Sequence, residues 1–509
     1  MFSFSGAGAR AAAFPLLVSM AVVFAPTAFA QQPAGAGAFL LRGSGAPEPV
    51  YDSAALAPNY AKPRPKRDQR ARYSGRRAIA GRKLPAMEAY RTAPASVRTP
   101  RTAPAPGVEP VPAPNFAMTA AGPTRRPAKV EDDSYAQLGL RSGGMIVKPS
   151  IDVEAGYDAN PRRTAAKEGS PVLRGGLGFT AASEWSRHQF TAEATASYLG
   201  FTRTPDADRP DAAAKANLRL DVFRDSFANF ELRGALTTQR PGSPDVPGAT
   251  TNQPLVASFG ATTGLTQRFG RTEASVSFLA DRRVYGDAEL AGGGVSRLSQ
   301  DNYNSYGVRG RIAYEYTPGV KPFLEAGADV RRRDEAIDAS GFDRDSSGFL
   351  TRAGSTFELT RTLTGEASAG YAQRVYNDKS LPVLAGPTFD GKLAWSATPL
   401  TTVTLRAATQ FNETTVAGAS GSISRVAGAD VSHALFRNFT VGAGLTYTDT
   451  RYDGAPIAER AWVGALRGEY AFTRYLRMRG SYAYEKLDST QPGAGFDAHV
   501  FLLGLRLTP

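Results

Sequence analysis

Residues 439–447 read Phe-Thr-Val-Gly-Ala-Gly-Leu-Thr-Tyr, an alternation of two kinds of side chain. Apolar side chains stand at the odd-numbered positions, and threonine and glycine stand at the even-numbered ones. Successive side chains of a β-strand point to opposite faces of its sheet, so this stretch predicts a strand with one apolar face. The same period of two recurs at 402–411 and at 324–331. The repetition indicates a fold that is built largely of such strands.

Eighteen segments with this alternation follow one another after Gly144. They are centred near residues 151, 179, 195, 218, 233, 262, 279, 309, 327, 354, 369, 393, 408, 430, 446, 466, 481 and 502. Most of them have ten or more residues, whereas strands of globular proteins typically have about five or six. A tilted strand that crosses a bilayer needs about nine to eleven residues. The segment lengths therefore favour strands that span a membrane.

The connections between these segments alternate in length. Short turns occupy 224–226 and 269–271, whereas long loops with Gly, Pro and Asp occupy 158–171, 240–254 and 286–301. Tight turns on one side and long loops on the other are typical of outer-membrane barrels. Backbone polar groups in hydrocarbon must be paired within the protein, so such a sheet has to close on itself. We predict an all-β fold, a transmembrane antiparallel β-barrel of about 18 strands over residues 142–509.

The first 141 residues have a different composition. Arg10 precedes an apolar stretch that ends in Ala28-Phe29-Ala30, which predicts a signal peptide over residues 1–30. Residues 31–141 contain 18 Lys or Arg against 8 Asp or Glu and are rich in Pro and Ala. With few aliphatic side chains to bury, they are predicted to form a disordered basic periplasmic segment. Only about +2 of the formal charge of +13 belongs to residues 142–509, so the basicity does not indicate a nucleic-acid partner.

The residue types available for chemistry are few. The chain has no cysteine and three histidines, which excludes thiol chemistry and makes a His-rich metal site improbable. A Gly-x-Ser-x-Gly nucleophile elbow is missing. Residues 343–348 are similar to the front half of a calcium loop, but Gly354 stands where the bidentate Glu belongs. We predict no enzymatic activity, no catalytic or cofactor-binding residues, no bound metal and no cofactor.

Charged side chains of both signs fall on the polar face of the predicted strands. A charge on the lipid face would cost several kcal/mol, so this parity places them in the lumen. A barrel of this strand number is wide enough to hold water, and the lumen is predicted to be a channel for passive diffusion of small polar solutes with a mild preference for anions. Alternatively, the opposite charges pair across the wall and block the lumen. The candidate lumen-lining residues are Arg219, Arg233, Arg309, Arg311, Glu325, Asp329, Arg331, Arg406, Arg467, Glu469, Arg477, Arg479 and Glu485.

A second class of function stays open from the sequence. The barrel could be a structural tether, with the basic segment contacting peptidoglycan or the long loops holding surface polysaccharide. An even strand number places both chain ends on the side of the short turns, the periplasm. Outer-membrane lipid and lipopolysaccharide are then expected partners of the outer surface.

The turn phrases provide a family resemblance. Residues 435–439 (Leu-Phe-Arg-Asn-Phe) and 472–476 (Phe-Thr-Arg-Tyr-Leu), with the strand at 481–485 and a loop that opens at Asp488-Ser489, resemble the outer-membrane β-barrel porin 2 family. The resemblance covers roughly residues 143–509 and implies an outer-membrane barrel. The final strand, with Phe501, Leu503, Leu505 and Leu507 on one face, resembles the signal that the barrel-assembly machinery reads. The resemblance therefore implies a location in the Gram-negative cell envelope.

Overall fold

The computed structural model describes residues 135–240, 242–247 and 250–509. The predicted signal peptide and nearly all of the predicted basic segment lie outside the described residues. The described part contains eighteen long strands, which continue one another around a single antiparallel sheet. Their bounds are Met145–Asp158 (β1), Ser170–Ser183 (β2), Gln189–Phe201 (β3), Arg209–Phe223 (β4), Ser226–Thr238 (β5), Leu255–Phe269 (β6), Thr272–Tyr285 (β7), Tyr303–Tyr314 (β8), Val320–Arg333 (β9), Ser346–Thr360 (β10), Leu363–Tyr376 (β11), Leu384–Thr398 (β12), Thr401–Asn412 (β13), Gly421–Phe436 (β14), Phe439–Asp453 (β15), Ala458–Ala471 (β16), Leu476–Ser489 (β17) and Phe496–Leu507 (β18).

The sheet closes where β18 pairs with β1, in a register that runs from Ile151 opposite Leu507 to Asp158 opposite Val500. All eighteen segments that the sequence predicts coincide with these strands, so the predicted fold class is confirmed. The remaining edge of β1 is covered by a short leading strand, Leu140–Ser142, which turns back through Gly143 and Gly144. The sequence predicts that the barrel starts at residue 142. Sheet pairing begins two residues earlier, at Leu140.

The connections divide the barrel into two ends. Turns of two to five residues join β2 to β3, β4 to β5 and the equivalent later pairs at one end, here called the short-turn end. Loops of up to seventeen residues join the strands at the other, the long-loop end; the longest contains a hairpin of Ala288–Glu289 with Val295–Ser296. Two short 3-10 helices, Pro205–Ala207 and Ser299–Asp301, also lie in these loops. In the described part of the chain, no helix is both long and apolar enough to cross a membrane.

Side chains alternate between the outside and the inside of the barrel along each strand. On β9, Leu324 is 68% exposed on the outer face, whereas its neighbour Glu325 is 4% exposed on the inner face. The alternation follows from the pleat of the strand, and the apolar face points outward because only lipid can cover it. The exposed outward set also includes aromatic side chains near the ends of strands, where the membrane interfaces lie. These exposed aromatic side chains include Trp185, Tyr316, Trp395, Trp462 and Tyr475.

The largest of four apolar clusters among the described residues lies on the inner wall. Val172 and Leu199 on β2 and β3 pack against Val500 and Leu502 on β18, although β1 runs between them. They meet because the intervening inward position on β1 is Gly156, where a Cβ atom would lie 1.8 Å from the carbonyl oxygen of Phe501. A side chain at this position would force the strands apart, so the seam between β1 and β18 depends on glycine here.

An arginine on the outer face will destabilise the barrel, whereas one on the inner face will not. Leu177, at the middle of β2, is 61% exposed on the outside, and Leu177→Arg places a charge near the middle of the bilayer. We expect a loss of about 2–4 kcal/mol in the free energy of unfolding, measured by urea titration of the heat-modifiable gel band in lipid.

The matched control for this change is Thr195→Arg. Thr195 faces the lumen on the adjacent strand β3 and is exposed there. Its replacement is expected to change the free energy of unfolding by less than about 1 kcal/mol. Equal losses for the two variants would contradict the assignment of the outer and inner faces.

Candidate functional site

The register places all thirteen candidate lumen-lining residues on the inward-facing set of side chains. Residues that stand opposite each other on neighbouring strands point to the same face of the sheet. Arg309 on β8, for example, stands opposite Gly327 on β9 and Ser277 on β7, and the inward-facing set can be followed in this way around the closed ring. None of the thirteen belongs to the exposed outer face. The structure distributes them over two dense clusters of ion pairs and several smaller contacts.

The first cluster lies on β8 to β11 around Glu325. Arg309 and Arg352 contact its carboxylate at 3.2 and 2.8 Å, and Arg311 lies 3.8 Å from it. Arg311 also lies 2.9 Å from Glu366 on β11. The aromatic ring of Phe323 lies 3.5 Å from the Arg311 guanidinium, in a cation–π arrangement. Three guanidinium groups thus share two carboxylates on this part of the wall.

Three more arginines surround Glu413, which is the first residue after β13 and lies nearer to the long-loop end than the Glu325 cluster. Arg331 bonds to its carboxylate, while Arg333 and Arg374 lie 3.8 and 4.0 Å away. Asp329, one of the predicted lumen residues, bonds to Arg374. Burial alone raises the pKa of Glu413, but the surrounding arginines outweigh it and hold the pKa below its usual value. The contact joins β9 to β13 across the lumen, which no strand register could achieve.

The second of the two dense clusters lies on the wall opposite the Glu325 cluster, where β16, β17 and β18 meet β1 and β2. Asp152 accepts two bonds of 2.7 Å from Arg506 and one of 3.2 Å from Arg479. The other ion pairs of this cluster join Glu154 to Arg174 at 2.8 Å and Glu469 to Arg477 at 2.6 Å. The cluster bridges the seam of the barrel and contains four arginines and three carboxylates.

The remaining predicted residues make smaller contacts on the inner wall. Arg219 bonds to Asp221 at 2.9 Å. Arg233 bonds to Glu231 at 3.0 Å and also to Asp281. Arg467 bonds to Asp430, Arg406 stands opposite Gly428 in the register, and Glu485 contacts the loop residue Arg163 at 2.8 Å.

The described residues of the loop between β5 and β6 (239–240, 242–247 and 250–254) contact distant parts of the inner wall, and this loop is called the crossing loop below. Arg240 donates to the carbonyl oxygen of Ala494 at 2.6 Å and to Glu459 at 3.0 Å. Asp245 accepts bonds from the Thr414 hydroxyl at 2.6 Å and the Tyr452 hydroxyl at 3.1 Å. Since β13 lies eight strands from β5 on a ring of eighteen, these contacts reach nearly the opposite wall.

Two further loops cover the long-loop end beside the crossing loop. Arg344, in the loop after β9, is 1% exposed and donates to the carbonyl oxygens of Ala419 and Val416 at 2.6 and 2.9 Å. Arg163, in the loop after β1, is also 1% exposed and donates to both oxygens of Asp158 at 2.6 and 2.7 Å. Buried arginines with two or more acceptors hold these loops against the wall rather than leaving them in solvent.

Several inward side chains away from the long-loop end are accessible, on β3, β4, β10 and β12. The side chain of Lys215 on β4 is 42% exposed although it faces the lumen. Thr195, Lys392 and Glu358 also face the lumen and are exposed. The interior is therefore covered by loops at the long-loop end, and only part of the remaining inner wall is accessible.

The loop residues that complete this arrangement were not among the sequence-predicted site residues. Arg163, Arg240, Asp245, Arg344 and Glu413 all lie in connections. Period-two alternation identifies inward residues only within strands, so it carries no information on a loop. The one available signal was the length of the loop at 240–254, which is greater than a simple turn needs.

The closed sheet, the apolar outer face and the charged interior define a β-barrel membrane protein of the porin-like class. The family model described as "Putative beta-barrel porin 2" matches residues 133–508, and the chain belongs to this family. It is an outer-membrane barrel. No curated protein sequence matches the chain.

Several solved barrels are similar to the chain at low identity. The siderophore receptor PiuA from Acinetobacter baumannii is 11% identical, with a TM-score of 0.40, and the match covers 73% of this chain and 82% of that one. OccAB4 from the same organism is 11% identical, with a TM-score of 0.34 and coverage of 71% and 98%. The copper transporter OprC is 8% identical, with a TM-score of 0.39 and coverage of 73% and 84%.

Proposed function

We propose that this protein is a channel for the passive diffusion of small polar solutes, with a mild preference for anions. The long loops face the exterior of the cell, and both ends of the barrel domain lie on the periplasmic side, as the even strand number requires. The observation that carries the proposal is the excess of guanidinium groups over carboxylates in both dense clusters of the lumen. A solute that passes between the two walls experiences the field of this excess charge, although the arginine side chains of the Glu325 cluster are only 4–7% exposed.

The excess of positive charge is small, so the preference is expected to be mild. The cluster around Glu325 has three arginines for two carboxylates, and the cluster at the seam has four for three. Ion pairing in a water-filled lumen cancels most of the field of each pair. Rings of arginine and lysine are the usual means by which pores favour anions. The crossing loop narrows the path, which supports selection of small solutes over large ones.

The proposal includes no catalytic step. His188 accepts a backbone bond from Asp221 at 3.2 Å, His433 contacts the Thr401 hydroxyl at 2.9 Å, and His499 contacts the Tyr482 hydroxyl at 2.8 Å. These contacts support structural roles for the histidines. Among the described residues, no group of three or more His, Cys, Asp or Glu side chains could hold a metal ion.

Reversing the accessible lumen charges will reduce the anion preference. Lys215 and Lys392 face the lumen and are accessible, so the double variant Lys215→Glu/Lys392→Glu changes the field in the pore without breaking the buried clusters. A unit charge at 4 Å is worth about 1 kcal/mol in water, which corresponds to about a fivefold change in the chloride-to-potassium permeability ratio. The measurement is the reversal potential of the purified barrel in a planar bilayer under a KCl gradient.

The matched control is Lys215→Arg/Lys392→Arg, which keeps both charges and is expected to keep the wild-type reversal potential. A barrel that conducts no ions would overturn the channel proposal. A conducting barrel with the same reversal potential in both double variants would overturn the anion preference alone.

A further inference from the structure

A row of charged side chains interrupts the apolar outer face at the long-loop end of β14 to β17. Arg425, Asp449, Arg460 and Asp488 are successive partners in the strand register, and their parity points them outward. Arg451 lies on the same outer face, one pleat nearer to the loops. Charges on the outer face of a membrane barrel are costly at the midplane and tolerated only near the interfaces. Their position therefore indicates that this part of the outer face lies near the interface, where polar groups outside the barrel can contact it.

One carboxylate serves three arginines in this row. Asp449 lies 3.2 Å from Arg451 and 3.7 Å from both Arg425 and Arg460. Its side chain is 12% exposed, whereas the three arginine side chains are 52–63% exposed. A guanidinium carries five N–H donors, so a single carboxylate leaves most of the fifteen donors available to an external acceptor.

The other charged groups that face this row do not cancel it. Lys486 pairs with Asp488 at 3.3 Å, and the two side chains are 45% and 56% exposed. Asp453 ends β15 on the same face. Asp497, opposite Lys486 in the register, faces the same way and pairs with Lys167 at 2.7 Å. With all of these groups included, five cations stand against four carboxylates. The cations Arg425, Arg451, Arg460 and Lys486 are called the rim patch below.

An aromatic pair fixes the height of the rim patch relative to the membrane. Tyr447 and Trp462, whose ring centroids lie 4.4 Å apart, are opposite each other in the register and face outward. They are two residues nearer the barrel middle than Asp449 and Arg460, which is a step of about 7 Å along the strand. Tyr and Trp rings sit at the boundary between hydrocarbon and headgroups. The rim patch consequently lies at the level of the headgroups of the leaflet on the long-loop side.

We propose that the rim patch binds the phosphate groups of a phosphorylated glycolipid in the outer leaflet, which in the Gram-negative envelope is lipopolysaccharide. Arginine donates two parallel bonds to phosphate oxygens, and several arginines around one anion give both affinity and orientation. The shared carboxylate of Asp449 holds the three guanidinium groups near one another before the phosphate arrives. The inference rests on the proposed orientation, in which the long loops face the exterior.

The far side of the barrel offers a matched comparison. Arg282 and Arg332 flank Asn304 in one outward row, and the exposed aromatic Tyr306 lies two residues nearer the middle. Each of these arginines has a carboxylate of its own: Asp334 accepts from Arg282 at 2.5 and 2.6 Å, and Asp345 accepts from Arg332 at 3.3 Å. The height on the barrel is therefore similar, although the Arg282 side chain is only 31% exposed and that of Arg332 is 52% exposed, and the local excess of positive charge is absent.

The test measures retention of bisphosphorylated lipid A by the full-length protein in detergent, by native mass spectrometry. We expect the triple variant Arg425→Gln/Arg451→Gln/Arg460→Gln to retain about tenfold less lipid A than the wild type. The control variant Arg282→Gln/Arg332→Gln is expected to stay within about twofold of the wild type. We expect the wild type to retain lipid A without phosphate poorly. That retention should be as low as the retention of phosphorylated lipid A by the triple variant.

Three results would overturn the proposal. They are equal retention by the wild type and the triple variant, equal retention of phosphorylated and phosphate-free lipid A, and displacement of lipid A by millimolar inorganic phosphate, which would indicate a site for free anions. Only the folded, heat-modifiable fraction of each variant is compared. If the triple variant does not fold, lysine replaces arginine at the same three positions. We expect that lysine variant to lose part of the lipid A retention, between the wild type and the glutamine variant. The readout is bound lipid, so a failure here is distinct from a failure of the channel proposal, which concerns conductance.

Discussion

Replacing Asp245 by alanine will raise the single-channel conductance of the barrel. Its carboxylate holds the crossing loop to the far wall through the hydroxyl groups of Thr414 and Tyr452 and the backbone N–H of Thr415, which donates at 2.8 Å. Without it these buried donors lose their acceptor, and the loop loses its anchors near β13 and β15. Because conductance of a water-filled pore scales with its free cross-section, we expect an increase of roughly twofold or more.

The control for the crossing loop is Asn252→Ala. Asn252 lies in the same loop, but among the described residues its side chain bonds to the backbone of Asp287 and Glu289 in the neighbouring loop, at 3.3 and 2.8 Å. Its removal should leave the conductance unchanged, as measured in the same planar bilayer. Identical conductance for wild type and Asp245→Ala would show that the crossing loop does not limit the flow of ions.

Replacing Arg163 by methionine will cost more stability than any other single change proposed for this barrel. The Arg163 side chain is fully buried and contacts both Asp158 on β1 and Glu485 on β17. Methionine fills similar space but leaves two buried carboxylates without their main cation. Removing one member of a buried ion pair typically costs about 3–5 kcal/mol. The measurement is the free energy of unfolding from urea titration of the folded gel band.

Arg141 provides the contrasting case at the leading strand. Its side chain is 74% exposed and pairs with Glu184 at 3.4 Å, so Arg141→Met should change the free energy of unfolding by no more than about 1 kcal/mol. Addition of Glu485→Gln to Arg163→Met should recover part of the loss, because one of the two uncompensated charges is then gone. If Arg163→Met proved as mild as Arg141→Met, the buried contacts of Arg163 would not stabilise the barrel.

The sequence alone predicted the number of strands and the approximate centre of each one. In a membrane barrel, each strand faces lipid on one side and the polar interior on the other, so the pleat imprints a period of two on long segments. The same parity identified Arg309, Glu325 and Arg479 as inward residues before any contact was known. It could not tell which carboxylate each arginine meets, because pairing depends on the register of neighbouring strands and on side-chain reach.

The leading strand Leu140–Ser142 was missed because three residues are too few to show a period. Its pairing partner, Met145–Val147, lies where β18 has already ended, so the edge of β1 would otherwise be uncovered. An unpaired backbone edge in lipid is strongly disfavoured. The need to cover the edge of β1 could be predicted from closure of the barrel, but the sequence did not indicate that Leu140–Ser142 would cover it.

Local alternation and loop length determined the class of fold, the number of strands and the two faces of the wall, because these properties are repeated at every residue along the chain. Only the tertiary structure decided what happens inside. The crossing loop and the convergence of three arginines on Glu413 join residues far apart in sequence. Such contacts arise from closure of the ring, which brings distant strands within side-chain reach, and closure leaves no periodic trace in the residues that it brings together.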